Sequence, residues 1–183
     1  MSDFPSKNFQ GKRYEFTHLR PLQMTFFCGE ANTQQIHIHT SFSIHCFTET
    51  FDMDRHLDHH RYTFQQELRA FDPLRYECSL SLPDIIRGLA RSKIYRASNS
   101  NYTYVAQIKL AESLQPYSIF FQLKPENING QTALKMYVQS AYLSPLKTSK
   151  QAQSWRFSSL IGTLAGVFSP INKKDKPQKK KTP

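Results

Sequence analysis

Apolar and polar positions alternate most clearly in QIHIHTSFSIHCFT, residues 35–48. Ile36, Ile38, Phe42, Ile44 and Cys46 share one parity with Thr40, and His37, His39, Ser41, Ser43 and His45 share the other. A period of two predicts a half-buried strand with a His/Ser face turned outward, bent or bulged near Thr40–Ser41. Before it, RYEFTH and LQMTFFC are short β-prone runs divided at Arg20-Pro21, and GEANTQ has turn chemistry. Residues 1–11 read as a loose start, and the charged, histidine-rich segment 52–70 reads as an exposed loop, with a helical turn at its end.

The pattern then changes period. In FDPLRYECSLSLPDIIRGLARS (71–92), Ile85, Ile86 and Leu89 form an apolar stripe, Ser81 stands at a capping position and Pro83 suits a first turn. Gly88 keeps the expected helix short. Four strand-like runs follow, KIYRAS, YTYVAQIKL, PYSIFFQLK and TALKMYVQSAYL, parted by SNSN, AESLQ and PENING. Tyr117, Ile119, Phe121 and Leu123 fall on one face, as do Leu134, Met136, Val138 and Tyr142. The expectation is an α+β fold: an antiparallel meander with one short helix packed on it. In WRFSSLIGTLAGVF (155–168), Phe157, Leu160, Ile161, Leu164, Val167 and Phe168 recur at helical spacing before Pro170. The expected organisation is a core over 12–145, a linker and amphipathic helix over 146–172, and a disordered basic tail over 173–183.

At 183 residues with 39% hydrophobic side chains, the chain can build a core without metals or disulfides. Cys28, Cys46 and Cys78 are odd in number and lack CxxC spacing, which predicts free thiols in a reducing, cytoplasmic setting. The first residues show no apolar signal core, and no run approaches the ~20 apolar residues of a spanning helix. Net charge is +10, of which residues 173–183, including Lys179, Lys180 and Lys181, carry +5. Such a run attracts phosphate or anionic lipid without specificity and can equally serve only to solubilise. The remaining +5 on the body points to RNA or DNA as partner. A protein partner, and a membrane surface met by the amphipathic helix and the tail, are the other expectations.

Six of the seven histidines lie between His37 and His60. His37 and His39 project from one strand face ~7 Å apart, close enough to chelate, and His56, His59 or His60 could add a third ligand. His45 sits about 26 Å along an unbroken strand from His37 and cannot join such a site. No strong zinc spacing occurs, so no metal and no small-molecule cofactor are expected. The chemistry that fits better is metal-free RNA cleavage, with histidine as acid or base and arginines on the phosphorane. His45, Arg75, Arg87 and Tyr142 are the catalytic candidates, with Arg91, Arg96 and Lys109 as nucleic-acid contacts. Each has an ordinary structural reading beside it: a half-exposed strand histidine, a core tyrosine, a solvated row of arginines. A binding module without chemistry would instead stack bases on Tyr95, Tyr102, Tyr104 and Tyr137 between Lys109, Lys124 and Lys135. The phosphate-loop, dinucleotide, serine-hydrolase and zincin motifs are missing from the sequence.

The elements SIHCFTETF (43–51), FDPLRYECSLSLPDIIRGL (71–89), YSIFFQLKP (117–125) and ALKMYVQSAYL (133–143) resemble a poorly characterised family of small bacterial and phage proteins. The order of a helix before a meander closing on Ser-Ala-Tyr is also similar to the small ribonucleases typified by barnase and RelE toxins. That second resemblance implies a toxin-like ribonuclease, with His45 and Arg75 or Arg87 at its centre and Tyr142 in support. The chain departs from it in placing its histidines before the helix and in adding the C-terminal helix and lysine tail.

Overall fold

The computed structural model describes residues 3–28, 34–98, 101–128, 131–145 and 153–168. The strands are β1 (Lys7–Phe9), β2 (Lys12–Tyr14), β3 (Leu22–Cys28), β4 (Gln34–Phe42), β5 (Thr48–Thr50), β6 (Arg61–Phe64), β7 (Glu67–Phe71), β8 (Lys93–Ser98), β9 (Asn101–Leu110), β10 (Ser113–Ile128), β11 (Gln131–Leu143) and β12 (Ser154–Arg156). The helices are α1 (Pro73–Ser79), α2 (Leu82–Arg87) and α3 (Phe157–Leu164). A seven-stranded sheet runs in the order β12-β8-β9-β10-β11-β4-β3. A three-stranded sheet, β5-β7-β6, and a β1-β2 hairpin stand apart from it. The fold is α+β as the periodicity predicts, and β8 to β11 form the expected antiparallel meander. One pairing differs: β4 joins β11 in parallel, with His39 beside Lys135 and Ser41 beside Tyr137.

One face of the large sheet is apolar because the strands alternate in register. Ile36 and Ile38, Ile119 and Phe121, and Leu134, Met136 and Val138 are all buried to within 1%. Helix α3 lies on that face, its Phe157 ring 5.2 Å from Phe26 and 6.4 Å from Phe121. Burial of Phe157, Leu160 and Ile161 occupies the helix's apolar stripe. A Cβ at Gly162 would sit 2.1 Å from the Phe168 ring, so any other residue there forces that ring to move. The linker 146–152 and the tail with Lys179, Lys180 and Lys181 lie outside the described residues.

The helical region is two short helices in tandem. Asp72 caps α1 by accepting from the Leu74 and Arg75 N–H groups, with Pro73 in the first turn. Pro83 has no N–H to continue that helix, and it opens α2 instead. Ser81 stands before α2 but makes no side-chain cap.

Two sequence readings are revised. Residues 3–11 are ordered, with β1 paired to β2 and Phe4 and Phe9 packed among aromatic rings. The expected loop 52–70 holds a helical turn at Asp58–His60 and then a β-hairpin, β6–β7, turning on Gln65 and Gln66. Their φ values of 47° and 69° are those of a two-residue hairpin turn that favours Asn-Gly, so Gln-Gln concealed it.

A candidate nucleic-acid interface

The other face of the large sheet follows from the pairing register. Directly paired residues point the same way, so rows of side chains run across the strands. One row is Lys124 on β10, Lys135 on β11, His39 on β4 and Gln23 on β3. The next is Gln122, Tyr137 and Ser41, and the one before is Glu126, Ala133, His37 and Thr25. Lys124 and Lys135 are both exposed and directly opposed, and neither has an ion pair among the described residues. Like charges in that position repel, so the sheet tolerates the row at a cost in stability.

The aromatics divide between the faces. Tyr137 is 38% exposed on the open face, and Tyr95 shares it with Lys93 5.2 Å from the ring centroid. Tyr102 is 6% exposed on the core side, and Tyr104 packs against the core as well. Lys109 lies on the open face opposite Leu114. Arg96 bonds Gln153 at 3.1 Å, and Arg91 is exposed at the end of the Gly88–Arg91 turn.

Tyr142 belongs to the open face, against the periodicity reading. Phe120 pairs with Ser140 and Phe121 with Val138, so Gln139 is an extra residue in β11. This bulge turns Tyr142 out of the Val138 face, onto Phe120 at 5.3 Å between centroids. Arg75 lies over the tyrosine ring at 5.1 Å.

Two cavities open along β4. One, of about 290 Å³, is lined by Gln23, His39, Ser41, Glu126 and Lys135 with Pro21 and Leu22. The second, of about 190 Å³, is lined by Ser41, Ser43, Gln65, Glu67 and Tyr137 with Phe4 and Phe64. Ser41 is common to both, so they adjoin along the strand.

His45 stands past the end of β4. Ser43 accepts from the His45 N–H and starts a tight turn, Ile44–Cys46, which breaks the alternation. His45 Nε2 lies 2.6 Å from Glu67 Oε1, both side chains partly exposed. Arg69 approaches the same carboxylate oxygen at 3.5 Å and donates through Nε to Thr48 Oγ1 at 2.8 Å. Burial lowers the Arg69 guanidinium's pKa, Glu67 opposes this, and Arg75 adds to the lowering.

Arg75 donates to the Thr48 carbonyl at 2.9 Å and reaches the His45 carbonyl at 3.5 Å. It thereby fixes the backbone under His45. Arg87 pairs with Asp84 on its own helix. His45, Arg75 and Tyr142 therefore form a connected group, whereas Arg87 is bound elsewhere. The sequence does not single out Glu67 and Arg69, because the charged, histidine-rich segment 52–70 that holds them reads as a loop. The alternation in RYTF and ELRAF about Gln65-Gln66 is the signal that points to them.

The other histidines hold structure. His56 is buried, its Nδ1 accepting from the Asp52 N–H and its Nε2 donating to Glu49 at 2.8 Å. His59 and His60 pack on Phe9. His37 meets Thr25 at 3.1 Å and His39 meets Glu126 at 3.4 Å, so the two strand histidines engage different partners. Among the described residues, no three His, Cys, Asp or Glu side chains could hold a metal ion.

Among those residues, no helix is long and apolar enough to cross a membrane. No curated protein and no solved structure matches the chain. A model of the YjaZ family matches residues 6–165, a span from the first hairpin through α3. On that match the chain belongs to the YjaZ family.

Proposed function

We propose that the chain binds single-stranded nucleic acid across the open face of its large sheet. The carrying observation is the opposed pair Lys124 and Lys135, neither of them ion-paired among the described residues, with His39 beside Lys135 in the same row. A phosphate between the two ammonium groups removes their repulsion. Tyr137 in the adjoining row offers a ring on which a base can stack. A net charge of +10 supports encounter with a polyanion. The membrane-surface alternative is disfavoured because the apolar side of α3 is already covered by the sheet. The test is gel retention of labelled single-stranded RNA and DNA at rising salt. Retention that falls steeply with salt supports the reading, since counterions are released on binding. No retention at low salt refutes it.

One observation favours a second reading, metal-independent cleavage of RNA. The His45–Glu67 pair can move a proton, and Glu67 lines a cavity adjoining the proposed strand path. Cleavage that survives EDTA and is lost in both His45→Ala and Glu67→Gln, with retention intact, would make the protein a ribonuclease. Retention without cleavage leaves a binding module.

A further inference from the structure

The cavity at His39 and Glu126 carries more than non-specific attraction. Glu126 reaches from β10 past the small Ala133 toward β4, where its Oε2 lies 3.4 Å from His39 Nδ1. A charge-assisted bond usually closes to about 2.7–2.9 Å, so this carboxylate keeps acceptor capacity to spare. It is about one-third exposed and faces a cavity of about 290 Å³. Lys135 lines the same cavity with no acidic partner among the described residues. A carboxylate with acceptor capacity to spare and an ammonium donor without an acidic partner among the described residues thus line one space beside the lysine row.

A nucleobase matching that set needs two adjacent N–H donors next to a carbonyl acceptor. Guanine has them: N1–H and the N2 amino group side by side, with O6 beyond. Adenine and cytosine each offer one amino group next to an unprotonated ring nitrogen, which would face the carboxylate. Uracil offers one N–H between two carbonyls. Resting on the nucleic-acid reading above, the geometry points to a guanine-selective base pocket. Glu126 accepts from N1–H and N2–H, Lys135 donates to O6, and His39 holds the carboxylate in place. Single-stranded bases are open to readout on this edge. Lys124 and a second N–H of the Lys135 ammonium then hold the adjoining phosphate, and Tyr137 receives the next base.

The test uses the full chain and four single-stranded RNA oligonucleotides of equal length. Each is a uridine host with guanosine, adenosine, cytidine or uridine at one central position, titrated by fluorescence anisotropy at low salt. The guanosine oligonucleotide is expected to bind about tenfold more tightly than the other three, the size of one good bidentate contact. Glu126→Gln, which keeps shape but presents an N–H donor, should erase the preference. The same variant removes a negative charge beside the phosphate path, so affinity for the uridine host should not fall, and any rise should be common to all four oligonucleotides. Equal binding of all four oligonucleotides by the unaltered chain overturns the pocket while sparing the binding face. So does a guanine preference that persists in Glu126→Gln. Failure of every oligonucleotide to bind overturns the nucleic-acid reading itself, and the pocket with it.

Discussion

Replacing Lys124 by Glu should stabilise the protein while weakening its binding of nucleic acid. Lys124 faces Lys135 directly across β10 and β11, on an exposed surface. Cross-strand charge pairs are worth roughly 0.2–1 kcal/mol, and like pairs cost a similar amount. Reversal removes the cost and adds the gain, together about 1 kcal/mol at low salt. For a chain of this size that corresponds to about 2–4 °C in Tm. Binding moves the other way. Each phosphate contact to a single strand contributes about 0.7 to the slope of log affinity against log salt. Losing one contact, and gaining a repulsion of like size, lowers the slope by about 0.7–1.4. At about 0.1 M salt, one decade below 1 M, the loss is about 5- to 25-fold. Differential scanning calorimetry reads the first effect and anisotropy across a salt series reads the second. Lys124→Gln should fall between the two in both assays. A lower Tm in the glutamate variant, or affinity within twofold of the original, would refute the assignment of this row to phosphate binding.

Gly162→Ala should destabilise by about 1–3 kcal/mol, because the new methyl overlaps the Phe168 ring and forces repacking at the end of α3. Adding Phe168→Leu should recover part of the loss in a urea titration, and no recovery would locate the strain elsewhere. His18 is held by burial at a pKa of about 4, against an ordinary value of 6.5. The unfolded chain therefore takes up a proton below pH 6.5 that the folded chain refuses until about pH 4. Stability is fully present above that window and declines through it as pH falls. His18→Gln, which keeps an N–H donor toward Ser79, should flatten the decline in urea titrations from pH 7 to about 4. An unchanged pH slope would assign the acid sensitivity to other groups.

The core was legible where alternation was strict. Tyr117, Ile119, Phe121 and Leu123 fall on one buried face, and the Phe157–Leu164 helix buries Phe157, Leu160 and Ile161 of the predicted stripe, with Leu164 partly buried and Val167 and Phe168 beyond its end. Local signals carry such elements because their period is written in adjacent positions. Three features were not written locally. The Gln139 bulge shifts parity by one residue, which no run of letters announces, and it moves Tyr142 to the open face. The Gln65–Gln66 turn uses residues that rarely adopt positive φ, so β6 and β7, with Glu67 and Arg69, were read as loop. The parallel joining of β4 to β11 brings together strands far apart in the chain, and with it the row Lys124, Lys135 and His39. His45 reads from the alternation as a strand residue, yet it stands in the tight turn after β4, because the Ser43 cap ends the strand before it.

That parallel joining also sets a timetable for the newborn chain. Thr40 meets Met136 across a separation of 96 residues. At a synthesis rate of roughly 5–20 residues per second, β4 waits about 5–20 s at the ribosome for the strand that completes it. Until then its pairing edge is open to neighbouring nascent chains. The large sheet therefore closes late, and a truncation before β11 is expected to leave an aggregation-prone fragment instead of a smaller working domain.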